Sequence, residues 1–132
     1  MQVPGRLWNP YSWAMTKSEF RKRLEVATHG GLVPVDHVKE IPRAKGEHLY
    51  EIRWDFNVLT LSPAGDRHHD DVQVRLYHSE PVAVLDSIVG LHVHEKQIVH
   101  VDRRRTNDLQ NIEINTAIKR FHDGRAQRWG IL

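Results

Sequence analysis

Five side chains give this sequence its chemical character: Arg53, Arg75, Tyr77, His92 and His94. A guanidinium binds phosphate through parallel N–H donors and stabilises charge developing on a phosphoryl group. An imidazole titrates near neutrality and can serve as general acid or base. A phenol can stack on a base or donate to an oxyanion. As a set they suit metal-independent RNA cleavage, in which the ribose 2′-hydroxyl attacks its own phosphate. The competing reading is structural. Arginines and histidines on strands often merely solvate an exposed face and pair with neighbours, here Glu51 and Asp55. On residue chemistry alone the structural reading is the commoner outcome.

Ten histidines raise the alternative of a metal. His92-x-His94 places two imidazoles on one strand face, and His68-His69-Asp70-Asp71 can add ligands from a loop. The chain has no cysteine and no His-Glu-x-x-His pattern, so no metal ligand set is assigned and no cofactor is expected. Arg103-Arg104-Arg105 stands just before the last expected helix, at its partially positive end, where the helix dipole gives it no stabilisation. The run suits phosphate contacts or a solvated surface. Arg125 and Arg128 extend it, whereas Trp129 is expected to pack on the domain.

Alternation and capping signals define the elements that must position these groups. Thr16-Lys-Ser-Glu19 reads as a capping box, with Met15 and Phe20 as its hydrophobic staple. Phe20, Leu24 and Ala27 then form a helical stripe that ends at His29-Gly30-Gly31. Residues 32–46 read as a connector with extended pieces. From Leu49 the period is two: Tyr50, Ile52, Trp54 and Phe56 face one way, and Glu51, Arg53 and Asp55 the other. Residues 62–71 read as a polar loop. A second strand turns Val72, Val74 and Leu76 against Gln73, Arg75 and Tyr77. Val82–Leu85 and Ile88–His94 read as further extended structure, with His92 and His94 opposite Val89, Leu91 and Val93. The last helix is expected over Asn107–His122, burying Ile114, Ala117, Ile118 and Phe121, with Gly124 closing it.

This order predicts a single α+β domain over residues 1–132, a small antiparallel sheet with helices packed on one face. The other face would then carry all five groups. The length of 132 residues suits one domain, and 39% hydrophobic with 27% charged residues is an ordinary globular mixture. No apolar run approaches a membrane span and the start lacks a signal-peptide core, so a soluble cytoplasmic protein is expected. The formal net charge of +2 hides an uneven pattern. Residues 1–46 hold eight Lys/Arg against four Asp/Glu, residues 47–102 four against ten, and residues 103–132 seven against three. RNA binding on the sheet requires that the carboxylates Glu47, Asp66, Asp70, Asp71, Asp86 and Asp102 stay off the open face.

The chain resembles the RelE/HigB toxin superfamily. The stretch Gly31-Leu-Val-Pro-Val-Asp-His-Val-Lys-Glu-Ile41 followed by Leu49-Tyr-Glu-Ile-Arg53 is similar to its connector and first long strand. Val74-Arg-Leu-Tyr77 resembles its next strand, and Ile88-Val-Gly-Leu-His92-Val-His-Glu-Lys96 its strand and basic turn. Asn111-Ile-Glu-Ile-Asn-Thr-Ala117-Ile-Lys-Arg120 resembles its C-terminal helix. The match covers roughly residues 16–123 in order. It implies an mRNA endoribonuclease of a toxin–antitoxin system that acts without a metal, usually on the ribosome, and is held in check by a cognate antitoxin protein. By position it assigns Arg53 and Arg75 to phosphate, His92 to the family's strand histidine, and Lys96 to the second lysine of the turn. His94 or His92 would transfer protons with Tyr77 assisting, while Lys96 and Arg103–Arg105 hold RNA. Departures are His94-Glu95 in place of an aromatic and the first lysine, the insertion 98–105, and the missing second N-terminal helix. They leave open a rival expectation, a non-catalytic module on the same scaffold that binds a protein partner, which the uneven charge suits equally well.

Overall fold

The computed structural model describes residues 7–34, 36–61, 64–84 and 86–131. A short strand β1 (Leu7–Trp8) leads into helix α1 (Pro10–Thr28). The helix therefore starts earlier than the Thr16 capping box suggested. Asn9 caps it instead, its Oδ1 accepting from the amides of Tyr11 at 2.9 Å and Ser12 at 3.3 Å. Pro10 at the first helical position has no N–H to satisfy, so the Asn-Pro pair makes the stronger start. Thr16 consequently lies buried within the helix, and Met15 is exposed rather than stapled. Gly30, with φ of 68°, ends the helix as expected.

β2 (Val38–Glu40) and a 3₁₀ segment (Pro42–Glu47) precede the long hairpin of β3 (Leu49–Leu61) and β4 (Arg67–Ser79). Residues 67–71 of the expected polar loop at 62–71 are thus strand. Polar side chains there hydrogen-bond across the ladder, Asn57 to Asp71 at 2.9 Å and Thr60 to Asp70 at 2.5 Å, and so support pairing without an apolar face. Val82–Val84 form a turn rather than an extended run, and Leu85 lies outside the described residues. β5 (Val89–Glu95) completes an antiparallel sheet of order β1-β3-β4-β5, with β2 pairing beside β1 on the same edge of β3.

α2 (Arg103–Gly124) begins at the arginine run itself, because Asp102 caps it by accepting from the Arg105 amide at 2.9 Å. A 3₁₀ segment (Arg125–Gly130) then folds back. Trp129 packs on Phe121 with ring centroids 5.0 Å apart and donates its indole N–H to the Phe121 carbonyl at 2.9 Å. Gly124 makes this possible, since a Cβ there would lie 2.5 Å from Trp129 Cδ1.

The α+β class with a small antiparallel sheet is as expected, and the core forms two layers. Ile52, Trp54, Val58, Val72 and Val74 pack under α1 with Phe20 and Ala27. Leu49, Tyr77, Val89 and Leu91 pack with Ile114, Ala117 and Phe121 of α2. The second group lies on the opposite sheet face. A bulge between Tyr77 and His78 turns Leu91 toward that side, and Tyr77 and Leu49 give it an apolar patch that α2 buries. Placement of both helices on one face therefore holds for α1 alone. The polar face is not open along its whole length.

Candidate functional site

Strand register arranges that face as a grid. Glu51, Tyr77 and His92 are cross-strand partners, as are Arg53, Arg75 and His94. Asp55 pairs with Gln73, and the Lys96 amide donates to the Gln73 carbonyl at 2.7 Å, which continues the ladder one step past β5. Nine side chains from three strands thus share one surface, and all five sequence-selected groups and Lys96 are among them.

The members differ sharply in access. Arg75 is 1% exposed and Tyr77 fully buried, with His94 9% exposed. Arg75 Nη1 donates to the carbonyls of Trp54 and Val74 and to Asp55 Oδ1, at 3.0–3.2 Å, and Nη2 donates to Gln73 Oε1 at 3.0 Å. Its guanidinium is therefore occupied by the protein, and its Nε is buried without a partner. This corrects the expectation that Arg75 grips phosphate directly. Arg53 keeps 27% of its side chain exposed, with Nε 3.3 Å from Glu51 Oε1. Lys96, across β4 from it, is half-buried.

α2 covers the row of Tyr77 and His92. Gln110 donates to Glu51 Oε2 at 3.3 Å, and Glu113 pairs with His92 Nε2. Arg120 donates to His92 Nδ1 at 3.0 Å and to the Leu91 carbonyl at 2.9 Å. A guanidinium only donates, so His92 carries its proton on Nε2, toward Glu113. His94 is the opposite tautomer: Nδ1–H donates to the Glu95 carbonyl at 3.2 Å, leaving Nε2 to accept the Tyr77 hydroxyl at 3.0 Å. The two imidazoles stack with centroids 5.6 Å apart. Both are committed to internal hydrogen bonds. Gln110, Glu113 and Arg120 escaped the sequence reading, although with Ala117 they form one helical stripe at spacings of three and four.

Burial sets the electrostatics. It pushes the Tyr77 phenol well above its ordinary value, with Glu51 adding to the effect, so the hydroxyl stays protonated. It holds His94 below the usual histidine value despite Glu113 nearby. Lys96 is also lowered, by burial first and by the Arg75 guanidinium second. Lys96 and Arg53, on the two sides of β4, can bind anions, and an amine can also carry a proton.

Three of the six carboxylates that threatened an anion site fall elsewhere. Asp102 caps α2, Glu47 accepts from His122 at 3.1 Å, and Asp86 lies in the loop before β5 with φ of 59°. Asp71 instead lies one step beyond Gln73 on the same face, bonded to Asn57. With Asp70 and Glu95 it lines an open cavity of about 570 Å³ that also meets His69, Gln73, Lys96 and His100. Compared with protein families, curated proteins and solved structures, the chain matches none. Among the described residues, no three His, Cys, Asp or Glu side chains are arranged to hold a metal ion. Arg103, Arg104 and Arg105 are exposed on the first turn of α2, outside the grid. No helix is long and apolar enough to cross a membrane among the described residues.

Proposed function

We propose that this chain is an RNA-cleaving toxin of the RelE/HigB kind, acting on mRNA at the ribosome and neutralised by a cognate antitoxin protein in the cytoplasm. The observation that carries this reading is the placement of Arg53 and Lys96, two partly exposed cations of the grid, on the strands that flank the buried Arg75. In cleavage the ribose 2′-hydroxyl loses its proton, attacks the adjacent phosphorus and expels the 5′-oxygen, leaving a cyclic phosphate. Arg53 would bind the non-bridging oxygens, whose charge grows as the attack proceeds. Lys96 would transfer the proton. Arg75 would contribute its field from below, while His92, His94 and Tyr77 form the supporting layer. Arg103, Arg104 and Arg105 remain free to meet the RNA backbone.

One observation favours the second reading, a non-catalytic module that acts through a protein partner. Every imidazole nitrogen of His92 and His94 is engaged within the protein, and Arg75 and Tyr77 are buried. Induced expression in a bacterial host separates the two. Growth arrest that disappears with Lys96→Met, at matched protein levels, supports the toxin. Unimpaired growth with the wild-type chain supports the binding module.

A further inference from the structure

The sheet face opposite the grid is incompletely covered. α1 packs on it through Phe20 and Ala27, with Phe20 against Trp54 at 4.7 Å between ring centroids. Between α1 and the edge strand β5 lies an apolar groove of about 330 Å³, lined by Trp13, Phe20, Leu24, Trp54, Leu76 and Val93. Leu24 and Val93 are 39% and 46% exposed there, whereas Trp54 at the floor is 2% exposed.

The edge beside this groove has an opening at Val93. The Lys96 amide points to β4, so from His92 to Lys96 the even-numbered backbone groups face β4 and the odd-numbered ones face outward, whereas the bulge at Tyr77/His78 reverses this parity before Leu91. Two outward carbonyls are already capped: that of Leu91 by Arg120 and that of Glu95 by His94. Between them, the N–H and C=O of Val93 have no hydrogen-bond partner among the described residues. Edge strands are normally blunted, and here the two capped carbonyls flank the residue whose side chain enters the groove.

The rim is basic. At 100° per residue, Lys17 and Arg21 share the α1 flank that presents Leu24 to the groove. Lys17 Nζ sits 5.6 Å from the centre of the Trp13 ring. Glu19 projects from the other flank, and on the strand side Glu95 follows Val93.

We propose that this strip is a docking site for an extended, acidic–apolar segment of a partner protein. The segment pairs with β5 at Val93 by exchanging two backbone hydrogen bonds. Its residue opposite Val93 is apolar and fills the groove against Leu24, Leu76 and Trp54. A carboxylate two positions away, on the same face of the segment, meets Lys17 and Arg21. An extended occupant is favoured over a helix because only an extended chain can satisfy the Val93 N–H and C=O. The site lies on the opposite face from Arg53 and Lys96, so it does not depend on the RNA-cleavage reading.

The test is selection of random peptides displayed on phage against the full chain, followed by titration of the synthetic peptides. The expected peptides carry an apolar residue with Asp or Glu two positions away. Val93→Pro deletes an N–H that β4 does not use, so the sheet should persist while affinity falls roughly tenfold or more. Lys17→Glu with Arg21→Glu should weaken the same peptides. If Val93→Pro disturbs folding, N-methylation of the peptide amide that faces the Val93 carbonyl removes the other bond of the pair without altering the chain. Three results overturn the proposal: no enrichment, enrichment of basic or helix-patterned peptides, or binding insensitive to both backbone changes. A wild-type chain that self-associates in sedimentation and loses this with Val93→Pro also overturns it, because the occupant is then a second copy.

Discussion

Arg53 and Arg75 are direct cross-strand partners, yet Arg53 reaches solvent with 27% of its side chain and Arg75 with 1%. The difference follows from what each guanidinium meets. Arg75 lies along the strands and donates to two main-chain carbonyls, while Arg53 extends toward Glu51 at the margin of α2. Two arginines that look equivalent in sequence therefore have different roles.

Truncating them should separate stability from function. Arg75→Ala leaves the Trp54 and Val74 carbonyls without that donor inside the core and is expected to cost on the order of 3 kcal/mol. Arg53→Ala is expected to cost about 1–2 kcal/mol, because Gln110 still donates to Glu51. Urea unfolding of both variants gives the comparison. Equal losses would contradict the division of labour, and Arg75→Ala alone cannot then serve as a clean test of activity.

The Tyr77–His94 bond is expected to matter for the same reason. Tyr77→Phe leaves His94 Nε2 buried without its donor and should lower stability by about 1–3 kcal/mol with the fold retained. Unfolding by urea, with near-ultraviolet circular dichroism as the check on packing, measures it. No change in midpoint would mean that the hydroxyl is satisfied elsewhere.

Stability should fall on the acid side of neutrality. Burial lowers both His78 and His94, which stay neutral in the fold while an unfolded histidine, with a pKa of about 6.5, takes up a proton. The unfolded chain thus binds more protons as pH drops below about 6.5, and the folded state loses stability until the lowered folded values are reached. The urea midpoint is expected to be level above about pH 7.5 and to decline toward about pH 5.5. A flat profile across that range would contradict buried neutral imidazoles.

Gly124→Ala should disturb the C-terminal fold-back without unfolding the sheet. Its Cβ would meet the Trp129 ring at 2.5 Å, so the indole must leave Phe121. The expected result is red-shifted tryptophan emission and a loss of about 1–3 kcal/mol. Unchanged emission would show that the ring accommodates the methyl group.

Much of this architecture was readable from alternation. Arg53, Arg75, Tyr77, His92 and His94 were assigned to one face because period-two patterns survive wherever one face is apolar, and the ladder brings them together. The hairpin ends were misread because His68-Asp71 has no apolar signal; its pairing rests on cross-strand bonds that spacing does not reveal. The start of α1 was missed because Asn9-Pro10 competes with a plausible capping box, and local signals do not rank themselves. The cover over the site was missed for a deeper reason. The face taken by α2 depends on Tyr77, Leu49 and Leu91 collecting around a bulge, which is a tertiary event. For the same reason nothing in the sequence marks Glu113 and Arg120 as the groups that fix the His92 tautomer.

The central claim is that Arg53 and Lys96 act on RNA. Primer extension on cellular transcripts after brief induction tests it most directly, comparing the wild-type chain with Lys96→Met, which keeps the packing of the side-chain stem. New 5′ ends within translated messages for the wild type, absent for Lys96→Met at equal folded protein, are the expected result. Intact transcripts with the wild type, or the same cuts with Lys96→Met, would contradict it.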